Sequence, residues 1–216
     1  MAKASPRSIT TSADGSPTLW VPELDEHYHS IHGALTESQH VFIDAGLNAM
    51  DKSEVRILEV GLGTALNAAL TAQQQGNRFI EYVALEKFPL TIEEVDALVD
   101  AKDTLTKAIL IAEHNVKTSI QKGFDFTLLV EDLRNFKSTP GSFDLVYFDA
   151  FAPSAQPELW SDEVFENMFE LLRPSGALVT YCAKGVVKRS MKKAGFRVEA
   201  LPGPPRKREM TRAWKD

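Results

Sequence analysis

Val55-Arg56-Ile57-Leu58-Glu59-Val60-Gly61-Leu62-Gly63-Thr64-Ala65-Leu66-Asn67 is the stretch on which the fold turns. A short apolar run carrying Glu59 near its end meets two glycines at alternate positions, and residues 65–70 (Ala-Leu-Asn-Ala-Ala-Leu) open a good helix former. The pattern predicts a strand, a tight glycine turn and a helix. Glycine lets the backbone turn sharply and lets a ligand lie against it with no Cβ in the way. The helix start behind such a turn offers unpaired N–H groups and the positive end of a dipole. A turn of this kind binds a nucleotide or a nucleoside.

The spacing separates two classes. A dinucleotide fold calls for G-x-G-x-x-G and a pyrophosphate on the helix N-terminus. Here Glu59 stands two residues before Gly61, and Gly63 follows. That is similar to the nucleoside loop of class I S-adenosylmethionine (AdoMet) methyltransferases, E/D-x-G-x-G-x-G, with Ala65 in place of the third glycine.

Working outward, the chain alternates strand and helix. Strand 55–60 leads to helix 66–75, stopped by Gly76-Asn77, and then to strand 80–86. Glu86 ends that strand some 20–25 residues after the glycine loop, where a carboxylate accepts both ribose hydroxyls. Helices are expected over 89–99 and 105–120, the second from apolar residues at 105, 109, 112, 116 and 120. Strand 123–130 ends at Glu131-Asp132, and Asp132 is the candidate to accept the adenine amine. Strand 145–149 ends in Asp149-Ala150-Phe151-Ala152-Pro153, beside the first strand at the topological switch point, which aims Asp149 at the reacting centre. A helix over 159–172 with Ser161 as N-cap follows, then strand 177–182, a basic helix over 185–194, strand 196–201 and a last strand over 209–214. Two final strands with no helix between them imply an antiparallel pair. The expectation is an α/β fold with a seven-stranded Rossmann-like sheet and an antiparallel last strand, the class I AdoMet-dependent methyltransferase variant. Residues 51–216 form that domain. Residues 1–50 add a β-hairpin turning at Asp14-Gly15 and a helix over 38–47 that covers one flank of the sheet.

Composition bounds the function. With 216 residues, 44% hydrophobic and 25% charged, one domain with a small appendage is expected. No apolar run approaches a membrane span, and the polar N-terminus lacks a signal-peptide core. The single cysteine, Cys182, excludes a disulfide framework and fits a reducing cytoplasm. His27-x-His29-x-x-His32 has no accompanying cysteine or helical His pair, so no metal is expected. Net charge is −6, but it is unevenly spread: from Arg173 onward there are 12 Lys and Arg against 3 Asp and Glu. Such a basic C-terminal face suits a polyanion.

A more specific resemblance rests on Asp149-Ala-Phe-Ala-Pro153 with Pro157-Glu-Leu-Trp160, on Glu59-Val-Gly-Leu-Gly-Thr64 with Asn67, on residues 36–42 (Thr-Glu-Ser-Gln-His-Val-Phe) and on Arg206-Lys-Arg-Glu-Met210. These resemble the methyltransferase half of the MnmC-like tRNA 5-methylaminomethyl-2-thiouridine biosynthesis family, over residues 20–213. The resemblance implies AdoMet as cofactor, tRNA as partner through its anticodon arm, and N-methylation of the aminomethyl group on wobble uridine 34. It implies a stand-alone form without the FAD domain, hence no FAD, and a cofactor site drawn from Glu37, Glu59, Gly61, Gly63, Thr64, Asn67, Glu86, Asp132 and Asp149. Asp149 would hold the amine, Phe151 and Pro153 would shape a slot for a flipped base, and Lys184, Lys188, Arg189, Arg206, Lys207 and Arg208 would meet phosphates. The alternatives are a spermidine synthase-like aminopropyltransferase and a small-molecule amine methyltransferase, which share the sheet, the loop and both strand-end acids; a non-catalytic tRNA-binding module is a third.

Overall fold

A computed structural model describes residues 7–13, 15, 17–28 and 33–216. Near the N-terminus, β1 (Ser8–Thr11), β2 (Pro17–Val21) and β3 (Glu26–His27) form a small antiparallel sheet. Gly15 turns the first pair with φ 84° and its N–H on the Ser12 carbonyl; Asp14 lies outside the described residues. The next helix starts earlier than its polar sequence suggests: α1 covers Ala34–Ser38, and Gln39–Asp44 continues as a π-helical turn. That turn buries Val41, Phe42 and Ile43 against the main sheet.

The remaining elements are β4 (Glu54–Val60), α2 (Leu66–Gln74), β5 (Phe79–Leu85), α3 (Ile92–Leu98), α4 (Thr104–Leu110), β6 (Thr118–Gln121), β7 (Phe124–Leu129), β8 (Phe143–Phe148), α5 (Asp162–Leu171), β9 (Leu172–Thr180), α6 (Gly185–Lys193), β10 (Arg197–Pro202) and β11 (Glu209–Trp214). One sheet runs β10-β11-β9-β8-β4-β5-β7-β6. The five central strands are parallel, and β11 lies antiparallel between β9 and β10. The antiparallel final pair is as the sequence implies.

The central strands are apolar throughout because both faces are covered. Alternate residues feed opposite cores. Ile57, Tyr82, Leu145 and Tyr147 pack with α2, α4 and the π-helical turn. Leu58, Val83, Val146 and Phe148 pack with Trp160, Phe165 and Met168 near or on α5 and Val187 and Met191 on α6. Ser161 caps α5, its hydroxyl accepting the Val164 N–H.

The sheet has eight strands where seven were expected, and the reason lies at residues 105–120. The apolar stripe there is not one helix. α4 ends at Leu110, Asn115 turns the chain at φ 62°, and Thr118–Gln121 pairs antiparallel with β7 as the sheet's edge. Val116, Thr118 and Ile120 are β-branched and lose less in a strand than in a helix. Likewise α5 passes straight into β9 at Leu172, so Arg173-Pro174-Ser175-Gly176 belongs to the strand rather than to a connecting loop.

β4 is the centre of the molecule. The chain moves from it to β5 and β7 on one side, then returns to β8 and β9 on the other. The crevice outside the carboxyl ends of β4 and β8 is therefore the switch point.

Candidate active site

A cleft of about 610 Å³ opens at that switch point, in the size range of small-molecule sites. The residues just past four strand ends reach it: Gly61 after β4, Glu86 after β5, Asp132 after β7 and Asp149 after β8. Gly61 needs to be glycine twice over. Its φ is 87°, and a Cβ there would stand 2.8 Å from the Asp149 carbonyl oxygen. Gly63 also has positive φ, and the Tyr28 ring lies on it; a Cβ would meet Tyr28 Cδ1 at 2.7 Å. Ala65, at the third glycine's place, is fully buried at the N-cap of α2 and adopts the left-handed conformation with φ 62°.

Behind the loop lies a buried polar bridge. The Asn67 amide donates one hydrogen bond to Glu59 Oε1 (2.9 Å) and another to Asp149 Oδ2 (2.8 Å). Glu59, Thr64 and Asn67 are all buried beneath the cleft lining rather than in it. Burial pushes the Glu59 carboxyl well above its usual range. Burial also lifts Asp149 to about 7, against the pull of the Asn67 hydrogen bond, with the Glu37 charge adding to the rise and Lys207 opposing it. Glu59 faces the Tyr82 hydroxyl, and Asn67 Oδ1 remains a buried acceptor without a hydrogen-bond partner.

Glu86 is held at the loop: its carboxylate accepts the Gly63 N–H at 3.3 Å and the Phe88 N–H at 2.8 Å. Asp132 differs from the open acceptor expected of it. Arg134 grips both its oxygens (2.9 and 2.6 Å), and Lys87 adds a third contact at 2.9 Å. The Arg134 guanidinium, with Lys87, holds its carboxyl far below the usual range despite partial burial. An adenine amine would have to displace Lys87 or share an oxygen.

On the other side of Asp149 the loop 150–153 is anchored twice. Tyr181 donates its hydroxyl to the Ala150 carbonyl (2.8 Å), and the Trp160 indole N–H donates to the Phe151 carbonyl (2.8 Å). Phe151 lines the cleft edge-on to Tyr28, centroids 5.2 Å apart. Pro153 lies in the following turn, outside the lining. The expected phosphate contacts divide. Lys184, Arg189, Arg206 and Arg208 are exposed. Lys188 is half-buried and pairs with Glu209 at 2.8 Å. Lys207 turns into the cleft and pairs with Glu37, which also lines it.

Sequence reasoning missed Arg7 and Tyr28. The Arg7 side chain is buried, donates to the Tyr28 hydroxyl (2.8 Å) and the Phe88 carbonyl (2.9 Å), and pairs with Glu94 (3.0 Å). It thereby ties the N-terminal sheet across the cleft to the loop after β5. Residues more than 80 positions apart carry no local signal of such a contact. Among the described residues no group of three or more His, Cys, Asp or Glu side chains gathers for a metal; His29 and His32 lie outside them. No described helix is long and apolar enough to cross a membrane.

A glycine cradle at a doubly wound switch point and a carboxylate past the end of the next parallel strand are the arrangement of the AdoMet-binding class of α/β enzyme. The chain belongs to the S-adenosyl-L-methionine-dependent methyltransferase family, whose model matches residues 93–216. Among its curated relatives are the tRNA 5-methylaminomethyl-2-thiouridine biosynthesis bifunctional proteins MnmC of Cupriavidus necator (31% identical, covering 95% of this chain and 34% of that one) and Cupriavidus metallidurans (32%, covering 98% and 35%). The chain thus spans about a third of the length of these relatives. In fold it is similar to the crystal structure of MNMC2 from Aquifex aeolicus, at a TM-score of 0.81 and 24% identity, covering 98% of this chain and 71% of that one. Spermidine synthase from Thermotoga maritima shares the fold more distantly, at 0.56 and 11%, covering 96% and 71%.

Proposed function

We propose that this chain transfers the AdoMet methyl group to the aminomethyl nitrogen of 5-aminomethyl-(2-thio)uridine at wobble position 34 of tRNA. The observation that carries this reading is the loop of residues 149–153: a carboxylate braced by Asn67 and, two residues on, an aromatic ring at the mouth of the same cleft. The names of the curated relatives supply the substrate class.

The residues fit AdoMet. Gly61 leaves the backbone bare at the cleft, and Glu86, which lines it, would accept the ribose hydroxyls. When bound, AdoMet supplies a methyl group on a sulfonium, which leaves as a neutral thioether. The acceptor must bring a lone pair, so its nitrogen must be unprotonated. The new C–N bond takes that pair, the C–S pair returns to sulfur, and the methylated nitrogen sheds its proton. Asp149 accepts a hydrogen bond from the amine, holds it in line and receives that proton. Tyr28 and Phe151 present ring faces and edges for a base flipped out of the anticodon loop. The exposed cations Lys184, Arg189, Arg206 and Arg208 would offer phosphate contacts.

Labelled AdoMet and tRNA bearing aminomethyl-uridine test the reading. Label in 5-methylaminomethyl-uridine is expected. Transfer to a polyamine or a free amine instead, from AdoMet or its decarboxylated form, would move the chain to the aminopropyl or small-molecule class.

A further inference from the structure

Lys207 sits between two exposed arginines, yet its side chain turns the other way. Its loop is tightly drawn: Lys207 N–H donates to the Pro204 carbonyl (2.9 Å), and Gly203 N–H donates to the Arg208 carbonyl (3.2 Å). From that loop the ammonium reaches Glu37 Oε2 at 2.5 Å and stands 4.7 Å from the centre of the Tyr181 ring. Tyr181 donates its hydroxyl to the carbonyl of Ala150, the residue after Asp149, and Glu37, Asp149, Tyr181 and Lys207 all line the cleft.

Two carboxylates alone would be a poor place for a nucleophilic amine. Facing negative charge, an amine is held as its ammonium form, which has no lone pair. A fixed cation offsets that pull. We infer that Lys207 is a positioning residue that sets the charge of the amine subsite: with Glu37 and the ionised form of Asp149 it leaves one net negative charge, enough to orient the acceptor nitrogen and not enough to keep it protonated. This rests on the amine acceptor proposed above, and it assigns Lys207 to the reacting centre rather than to the tRNA backbone.

The other charged and titratable groups near the subsite are Tyr181 and Cys182 after β9, with Lys184 just before α6, Lys188 within it and Lys207 itself acting on the thiol. Glu26 of β3 faces Tyr181, and Glu59 lies behind Asp149. None of these is placed as Lys207 is, paired with one subsite carboxylate while acting on the other.

The test uses the full chain and two readouts. In a carboxyl NMR titration of the protein without tRNA, Lys207→Met raises the Asp149 midpoint by about one pH unit, and Lys207→Arg leaves it in place. In methyl transfer to aminomethyl-uridine tRNA, Lys207→Met loses about tenfold at pH 7 and recovers as the pH rises, with AdoMet affinity unchanged by calorimetry. A deficit that is flat with pH and vanishes at low salt would make Lys207 a phosphate contact. A loss of AdoMet affinity would place it on the cofactor, and an unmoved Asp149 midpoint would remove its charge role; each overturns the inference. A wild-type chain inert on tRNA, with the Asp149 midpoint still following Lys207, would instead overturn the substrate and leave the charge role standing.

Discussion

In the proposed reaction Asp149 concentrates the chemistry in a single carboxyl. Its burial cost and its Asn67 hydrogen bond pull in opposite directions, and the balance leaves it near 7. A carboxyl with that pKa is ionised only above neutrality, so methyl transfer should rise with pH through about 7. Asp149→Asn keeps an oxygen to accept from Asn67, so folding and AdoMet binding should survive while the rate falls by about 10²- to 10⁴-fold. The same group carries a stability signature. The unfolded chain ionises this carboxyl near its ordinary range and the folded chain only near 7, so between those values the folded state holds the extra proton. Its contribution to stability therefore falls as pH rises from about 4 to 7. Thermal melts should show Asp149→Asn gaining on the wild type across that window. Gly61 is the opposite kind of residue, defined by what it lacks. Gly61→Ala forces a Cβ against the Asp149 carbonyl at a positive φ, a cost of roughly 1–3 kcal/mol. AdoMet affinity should drop more than tenfold by calorimetry, with little change in secondary structure by circular dichroism.

At the scale of elements, two ties hold the site. Below it, the Asp144 carboxylate in β8 is fully buried and meets Lys52 (2.6 Å), Arg173 (2.8 Å) and the Arg56 N–H (2.9 Å). Burial pushes this carboxyl up, but the three partners together hold it below its usual range. Its stabilisation is present above the unfolded pKa and is lost as pH falls through the folded one. Asp144→Ala leaves the Arg56 N–H without its acceptor while the part-exposed Lys52 and Arg173 turn to solvent, and should cost about 1–2 kcal/mol, read by denaturant unfolding. Above the site, Arg7 ties the three-stranded sheet to the loop after β5. Arg7→Ala should speed hydrogen exchange in residues 17–28 and weaken AdoMet binding about tenfold, the worth of one charge-assisted bond. These elements were unequally legible. The β4-glycine-α2 unit could be read because its pattern is local, and Ser161 because a cap needs only its own neighbours. The stripe at 105–120 could not, because Ile120 packs against the core on either reading, though only partly buried, and only pairing with β7 selects the strand.

Over the whole molecule, alternating strands and helices with an antiparallel last strand were legible in order, since each depends on short-range pattern and on handed, short connections. The strand-end carboxylates could be placed because the switch point follows from that order. Charge was less legible. A count of lysines and arginines does not show that Lys188 meets Glu209 or that Lys207 faces inward. The tRNA surface should accordingly be smaller than the count suggests. Arg189→Ala and Arg208→Ala should each weaken tRNA binding evenly across sequences and lower the salt slope by about one.

The central claim is that this cleft methylates the wobble-uridine aminomethyl nitrogen. The most direct test is a single-turnover assay with labelled AdoMet and tRNA carrying 5-aminomethyl-uridine, followed by nucleoside analysis. The account predicts that the label appears in 5-methylaminomethyl-uridine at position 34 and is lost in Asp149→Asn. Label in another nucleoside, or label undiminished in that variant, would contradict it.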